Sequence, residues 1–405
     1  MTEAPLIDVP GGGLTTPQGF LAGATHAGIK YPDPDRLDLT LLYSERPCAA
    51  AGVFTQNAFR GPPVLICERH LANGRAQAII ANSGISNSLY GDEGMRFAEE
   101  MAAIAAAKLG VATEDVLVSS TGVTGWRLPV ERMRDALPQI ELARDGGDAF
   151  ARAIMTTDTV PKQAAVRFDW DGATYAVGGC AKGSGMIHPN MATMLAFMTT
   201  DAPVDPSVIR PLLIDAVDQS FNMLSIDGDT SPNDTLVLLA NGAARGAMID
   251  AGHPALPLLR AAVTRVAVSL TRQLARDGEG AGKLIVVRVD GAASVEDARR
   301  AARTVVLSPL VKTAVYGNDP NWGRVLVALG YSGAQVRERD VSLSLQGVEV
   351  FRGGAQPFDE AALSAALAQE EVRIDLHLGA GDASATAYGC DLTPDYVRIN
   401  SEYTT

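Results

Sequence analysis

Residues 178–200 hold the side chains best suited to chemistry: Lys182 set among Gly179, Gly183 and Gly185, then Ala192-Thr193 and an apolar run, Met194-Leu195-Ala196-Phe197-Met198. The glycines permit backbone angles that other residues resist. The apolar run predicts a short strand buried on both faces. Thr193 therefore stands where a glycine-rich loop meets a rigid strand, a place from which its hydroxyl can act as a nucleophile. On spacing alone, an ordinary strand-start threonine is the commoner reading.

Four further loops join predicted elements through Gly, Thr and Asp: 119–125, 156–162, 227–234 and 277–283. Loops held by a rigid scaffold are where catalysis concentrates. In 119–125, successive backbone N–H groups can cradle an oxyanion. The run Asp227-Gly228-Asp229 with Pro232 reads as a turn, and its spacing departs from a calcium loop. Gly183-Ser184-Gly185 lacks the G-x-S-x-G spacing of a serine-hydrolase elbow, so Ser184 reads as a loop hydroxyl. His188 before Pro189 reads as a loop residue.

Composition excludes several classes. The 405 residues are 47% hydrophobic and 20% charged, a globular balance long enough for two or more domains. A net charge of −13 argues against a nucleic-acid or anionic-membrane surface. Cys48, Cys67, Cys180 and Cys390 form no C-x-x-C pair, and the five histidines show no H-E-x-x-H spacing, so no metal site is expected. No signal peptide or membrane span is read, and a cytoplasmic protein is expected.

The elements that must position these loops follow in order. Strands are predicted at Leu37–Tyr43, Ala51–Phe54, Val64–Cys67 and Ala76–Ala81, then a helix from Glu93 to Leu109 and a strand at Asp115–Ser119. Asp171-Gly172 predicts a hairpin turn. Amphipathic helices follow at Pro206–Ser220 and Leu256–Arg276. From Leu284 onward, helices and strands alternate as in a small α/β unit at about 283–390, with Tyr316–Arg324 read as a loop.

Lys182-Gly183-Ser184-Gly185-Met186-Ile187 followed by Asn190-Met191-Ala192-Thr193-Met194-Leu195 resembles the signature of the ornithine acetyltransferase (glutamate N-acetyltransferase) family. Ala51–Thr55, Ser120–Val123, Ile154–Thr159, Asp227–Ser231, Asp319–Arg324 and Ile399–Tyr403 resemble family motifs in the same order, along essentially the whole chain.

The resemblance implies a layered αββα-like sandwich with an N-terminal-nucleophile-type site, plus the smaller C-terminal unit. It implies self-cleavage at Ala192–Thr193 into fragments 1–192 and 193–405, assembled as a heterotetramer of two of each. The freed α-amine of Thr193, with a reference pKa of ~7.7–8.0, then serves as the base for its own hydroxyl. The implied reaction carries acetyl from N-acetylornithine to glutamate through a threonyl ester, without a cofactor, in arginine biosynthesis. Acetyl-CoA stays open as a second acetyl donor. Thr121 and Gly122 are the implied oxyanion hole, and Thr156, Lys182, Thr193, Glu279, Asn400 and Thr405 the implied substrate pocket. Two alternatives stand beside this: a self-processing aminopeptidase or amidase, in which water resolves the acyl-enzyme, and a non-catalytic amino-acid-binding relative.

Overall fold

A computed structural model describes residues 5–188 and 194–402. Ala192, Thr193 and Thr405 lie outside the described residues. The fold is mixed α/β with layered sheets, as the sequence led us to expect.

The larger sheet has nine strands. Its order is Ile7–Asp8, Lys162–Trp170, Ala173–Lys182, Leu195–Thr200, Thr235–Ala240, Leu39–Phe54, Arg75–Asn82 and Val116–Ser120, with Phe20–Thr25 also paired to Leu39–Phe54. The strands Leu195–Thr200 and Thr235–Ala240 run parallel in the middle and are buried along their whole length. Alternation explains that burial. Ala196, Met198, Leu236 and Leu238 enter one core, while Leu195, Phe197, Val237 and Leu239 enter the other.

Helices close both faces. Pro62–His70, Gly91–Leu109 and Gly147–Ala153 pack on the second core's side, where Phe150 meets Phe197 edge-on at 5.2 Å. Pro206–Asp218 and Leu256–Arg276 pack on the first. The long helix buries Leu259, Val263, Val266, Leu270 and Leu274, the stripe predicted from its periodicity. It touches strands of both sheets, so it lies between the nine-stranded sheet and the smaller one. The smaller sheet has six strands, five of them drawn from Leu284 to Cys390 and the sixth being Leu224–Ser225.

Three local expectations are corrected. Val64–Cys67 lies within a helix, Pro62–His70. Pro62 and Pro63 have no N–H to give a sheet ladder, and their fixed φ suits a first helical turn. The two strands expected at 37–43 and 51–54 are one, Leu39–Phe54, with a register shift between Tyr43 and Cys48 that absorbs the polar stretch Ser44-Glu45-Arg46. The loop expected at 316–324 is shorter, 317–321: the helix Pro309–Tyr316 ends at its first residue, and Trp322–Gly330 takes its last three. Ser308 caps the first of these helices by accepting the Val311 N–H, a signal masked by the apolar character of the run.

Candidate active site

Sheet register sets the floor of the site. Lys182 ends its strand opposite Leu195, the start of the next, and Thr235 starts its strand beside Leu195 as well. The glycine-rich loop, Met194 and Asp234 thus meet at one set of strand ends. All five loops singled out in the sequence line a single cavity of about 260 Å³ there. They supply Thr121, Gly122 and Thr124; Thr156 and Thr157; Lys182, Gly185 and Met186; Ser231, Pro232 and Asn233; and Glu279, with Ser86 and Asn400 completing the wall. The volume suits a small metabolite rather than a drug-sized ligand. A larger cavity of about 510 Å³, between Trp322, Val327 and Phe351, is mainly apolar and offers one charged group, Glu338. Convergence of reactive groups, not volume, marks the site.

Lys182 is its electrostatic centre. The side chain is buried, and Nζ donates to Thr121 Oγ1 at 3.2 Å and to Thr156 Oγ1 at 2.9 Å. A hydroxyl that accepts from an ammonium keeps its own proton free to donate elsewhere. Burial pushes Lys182 below the usual lysine range, and Asp158 opposes that effect.

Asp158 anchors the surroundings. Its carboxylate accepts from Lys162 Nζ at 2.5 Å, Gly183 N at 2.7 Å and Thr156 N at 3.0 Å. Burial alone raises its pKa, but Lys162 and Lys182 together hold it down at about 2. Lys162 is wholly buried and also donates to Asp277 at 2.6 Å. Asp277 in turn accepts the Thr159 N–H at 3.0 Å. A buried Asp158–Lys162–Asp277 chain therefore ties the loop 156–162 to the end of the long helix. Thr157 Oγ1 and Ser184 Oγ lie 2.6 Å apart, which fits the reading of Ser184 as a loop hydroxyl.

Gly122 has φ +125°, and a Cβ there would stand 2.2 Å from the carbonyl carbon of Gly84. Only glycine fits. The amides on either side are committed, Thr121 N–H to Asn82 O and Val123 N–H to Gly84 O, both at 3.0 Å. Gly185 is needed for a different reason: a Cβ would stand 2.4 Å from Glu279 Oε2. Glu279 is fixed from both ends, its N–H donating to Ser184 O at 2.7 Å and its carboxylate accepting from Asn400 Nδ2 at 2.7 Å.

The loop 227–234, read as a plain turn, does more. Asp229 N–H donates to Asp227, as a turn requires, but Asp227 also accepts from Met186 N at 2.6 Å and Ile187 N at 3.0 Å, gripping the glycine-rich loop. Asn233 donates to Ser120 O at 2.9 Å, joining this loop to the one that carries Thr121. Asp234 accepts the Met194 N–H at 3.0 Å. The sequence reading missed Asp158, Lys162, Asn233 and Asp234. The i,i+4 pair Asp158/Lys162 was visible but lay in a loop, where that spacing carries no helical meaning.

Thr121, Gly122, Thr156, Lys182, Glu279 and Asn400 are thus brought together. Among the described residues, no group of three or more His, Cys, Asp or Glu is placed to hold a metal. All four cysteines are buried and unpaired, and burial pushes the Cys48 and Cys67 thiols up to about 12.

Comparison with known proteins decides the family. The model of the ArgJ family matches residues 21–405. The chain belongs to the ArgJ family. Among its ArgJ relatives is an arginine biosynthesis bifunctional protein ArgJ of Symbiobacterium thermophilum, 50% identical over 397 residues, which cover 97% of this chain and 99% of that one. The protein of the same name from Dehalococcoides mccartyi is 48% identical over 401 residues, covering 98% and 99%. A crystal structure of ArgJ from Bacillus halodurans aligns with a TM-score of 0.50 at 38% identity, covering 52% of this chain and 98% of the solved one.

Proposed function

We propose that the chain is cut between Ala192 and Thr193, and that Thr193 then carries an acetyl group from N2-acetyl-L-ornithine to L-glutamate. The products are L-ornithine and N-acetyl-L-glutamate. The chain is an acetyltransferase of arginine biosynthesis. The observation that carries the reading is the convergence of five loops on one small cavity, with a buried lysine bridging two threonine hydroxyls at its floor.

In this mechanism the α-amine of Thr193 takes the proton from its own Oγ as Oγ attacks the acetyl carbonyl. The tetrahedral oxyanion is met by the Thr121 hydroxyl and the Gly122 N–H, and one such donor typically contributes about 3 kcal/mol to the transition state. Ornithine leaves with the proton, and the amine of glutamate attacks the threonyl ester to complete a ping-pong cycle. Lys182 offers a cation for the α-carboxylate common to both substrates, and Glu279, with Asn400, an anion for a substrate ammonium. Thr156 and Thr405 complete the pocket.

The half-length match to the solved ArgJ chain supports cleavage: 52% of 405 is about 211 residues, near the 213 (405 − 192) of fragment 193–405. We assign the chain two fragments, 1–192 and 193–405, with a smaller α/β unit at about 283–390 that supplies five of the six strands of the second sheet. Two copies of each fragment form a heterotetramer in the cytoplasm. The word bifunctional in the relatives' names supports a second activity, acetylation of glutamate by acetyl-CoA, with no resident cofactor. Among the described residues, no helix is long and apolar enough to cross a membrane.

N-terminal sequencing of the purified protein tests this reading directly. A second start at Thr193 and transfer from acetylornithine that depends on glutamate are expected. A single uncut chain, or hydrolysis that ignores glutamate, refutes it. Thr193→Ala should remain folded, uncut and inactive.

A further inference from the structure

We propose that Met186 is a specificity-determining residue: its side chain packs against the carbon chains of both substrates in the cavity that holds Lys182 and Glu279. This rests on the acetyl-transfer reading above and adds to it the apolar contact that charged and hydroxyl groups cannot make.

The cavity wall is mostly polar. Among its described residues, Met186 and Pro232 are the apolar side chains; the others are glycines or carry a hydroxyl, an amide or a charge. The proline ring is rigid, so Met186 is the apolar group that can adjust. Each substrate needs such a group. N2-acetylornithine carries a methylene chain that ends in an ammonium, and glutamate carries a chain one methylene shorter that ends in a carboxylate. An unbranched thioether can re-pack around chains of different length. Its place in the loop fits this use. Met186 follows Gly185, where a Cβ would stand 2.4 Å from Glu279 Oε2, so it leaves the loop one residue from the carboxylate offered to the ornithine ammonium. The two substrates differ at that end, and a thioether favours neither charge.

An exposed apolar side chain is ordinary by itself. What sets Met186 apart is its backbone. Its φ is +55°, and among the described residues of the cavity wall it is the one non-glycine at positive φ. Neighbouring Ile187 turns into the core at 1% exposure, while Met186 stays 40% exposed. The loop is held in this shape from outside. Asp227 accepts from the N–H groups of Met186 and Ile187, and the Tyr396 hydroxyl fixes Asp227 by donating to it at 3.2 Å. The Ile187 carbonyl is held as well, by the Ile226 N–H at 2.8 Å. Strain of this kind persists where the surroundings over-determine it, and it concentrates at ligand clamps. Glycine would make the same turn without strain. The turn therefore does not call for methionine, whereas a side chain placed in the cavity does.

The test is Met186→Ala in the full chain, assayed after the wild-type protein is shown to move acetyl from N2-acetyl-L-ornithine to L-glutamate. A wild type without that transfer refutes the functional reading and this inference with it; the remaining outcomes bear on Met186 alone. In the variant, KM for acetylornithine and KM for glutamate should each rise about 10-fold, the effect of roughly one methylene of lost contact. The contact is made in ground state and transition state alike, so kcat and melting temperature should stay close to wild type. An unchanged KM for either substrate overturns the proposal, and so does a loss of kcat as large as the rise in KM. If Met186→Ala does not fold, Met186→Gly decides. Glycine suits this φ, so that variant should melt at or above wild type and show the same rise in KM. Lower stability or an unchanged KM in Met186→Gly overturns the proposal and leaves the transfer reading intact.

Discussion

Replacing Asp158 with asparagine should unsettle the fold more than the chemistry. Asparagine keeps the shape but can no longer neutralise Lys162 or accept from every donor that Asp158 now satisfies: Lys162 Nζ, Gly183 N and Thr156 N. Linkage gives the ionic part. A fall from the ordinary 3.8 to about 2 corresponds to roughly 2 kcal/mol, at about 1.36 kcal/mol for each tenfold change in acidity. The carboxylate is fully buried, so solvent screening does not reduce this much. Breaking one partner of a buried ion pair costs about 3–5 kcal/mol, and Lys162 keeps Asp277, so a loss near 3 kcal/mol is expected. With about 2.1 cal/mol/K of unfolding entropy per residue, 405 residues give about 0.85 kcal/mol/K, and the melting temperature should fall by about 3–4 °C. The sign of the pH dependence follows from the lowered pKa. Stability from Asp158 is complete above its unfolded value near 4 and is lost as pH falls toward 2. Thermal scans at one scan rate should show the full gap between variant and wild type from pH 7 to about 4, closing below that. A variant melting within 1 °C of wild type at pH 7 refutes the account of the buried network.

Three other substitutions separate the roles in the pocket. Gly122→Ala places a Cβ against the Gly84 backbone at positive φ, so both melting temperature and kcat should drop; a normal variant means that the loop at 121–123 moves freely. Thr121→Val removes one oxyanion donor and should lower kcat by about 100-fold with a smaller change in KM, and an unchanged kcat in steady-state assays removes Thr121 from the oxyanion hole. Lys182→Ala should raise the KM for acetylornithine and for glutamate, and should also lower kcat because the Thr121 hydroxyl loses the ammonium that orients it. An unchanged KM for both substrates would take Lys182 out of the pocket.

What the sequence disclosed, and what it hid, divides by the range of the forces involved. The helix at Leu256–Arg276 and the strand expected at Ala76–Ala81 were legible because apolar patterning records burial, the largest local term. The strand expected at Val64–Cys67 was misread because a short apolar run fits a buried helix as well as a strand, and Pro62-Pro63 was the deciding signal. From residue types and spacing the five loops were legible as loops but not as one site; only the family resemblance pointed to a shared pocket, and for four of them. Their meeting depends on the register that sets Lys182 opposite Leu195 and on crossover contacts such as Asn233 to Ser120, 113 residues apart. Asp158, Lys162 and Asp234 were hidden for the same reason. A charged residue in a Gly- and Thr-rich loop reads as solvated until another segment covers it, and the covering segments here come from elsewhere in the chain, as Asp277 does for Lys162. Asp158 is enclosed by donors and has its pKa lowered, which marks a structural anchor.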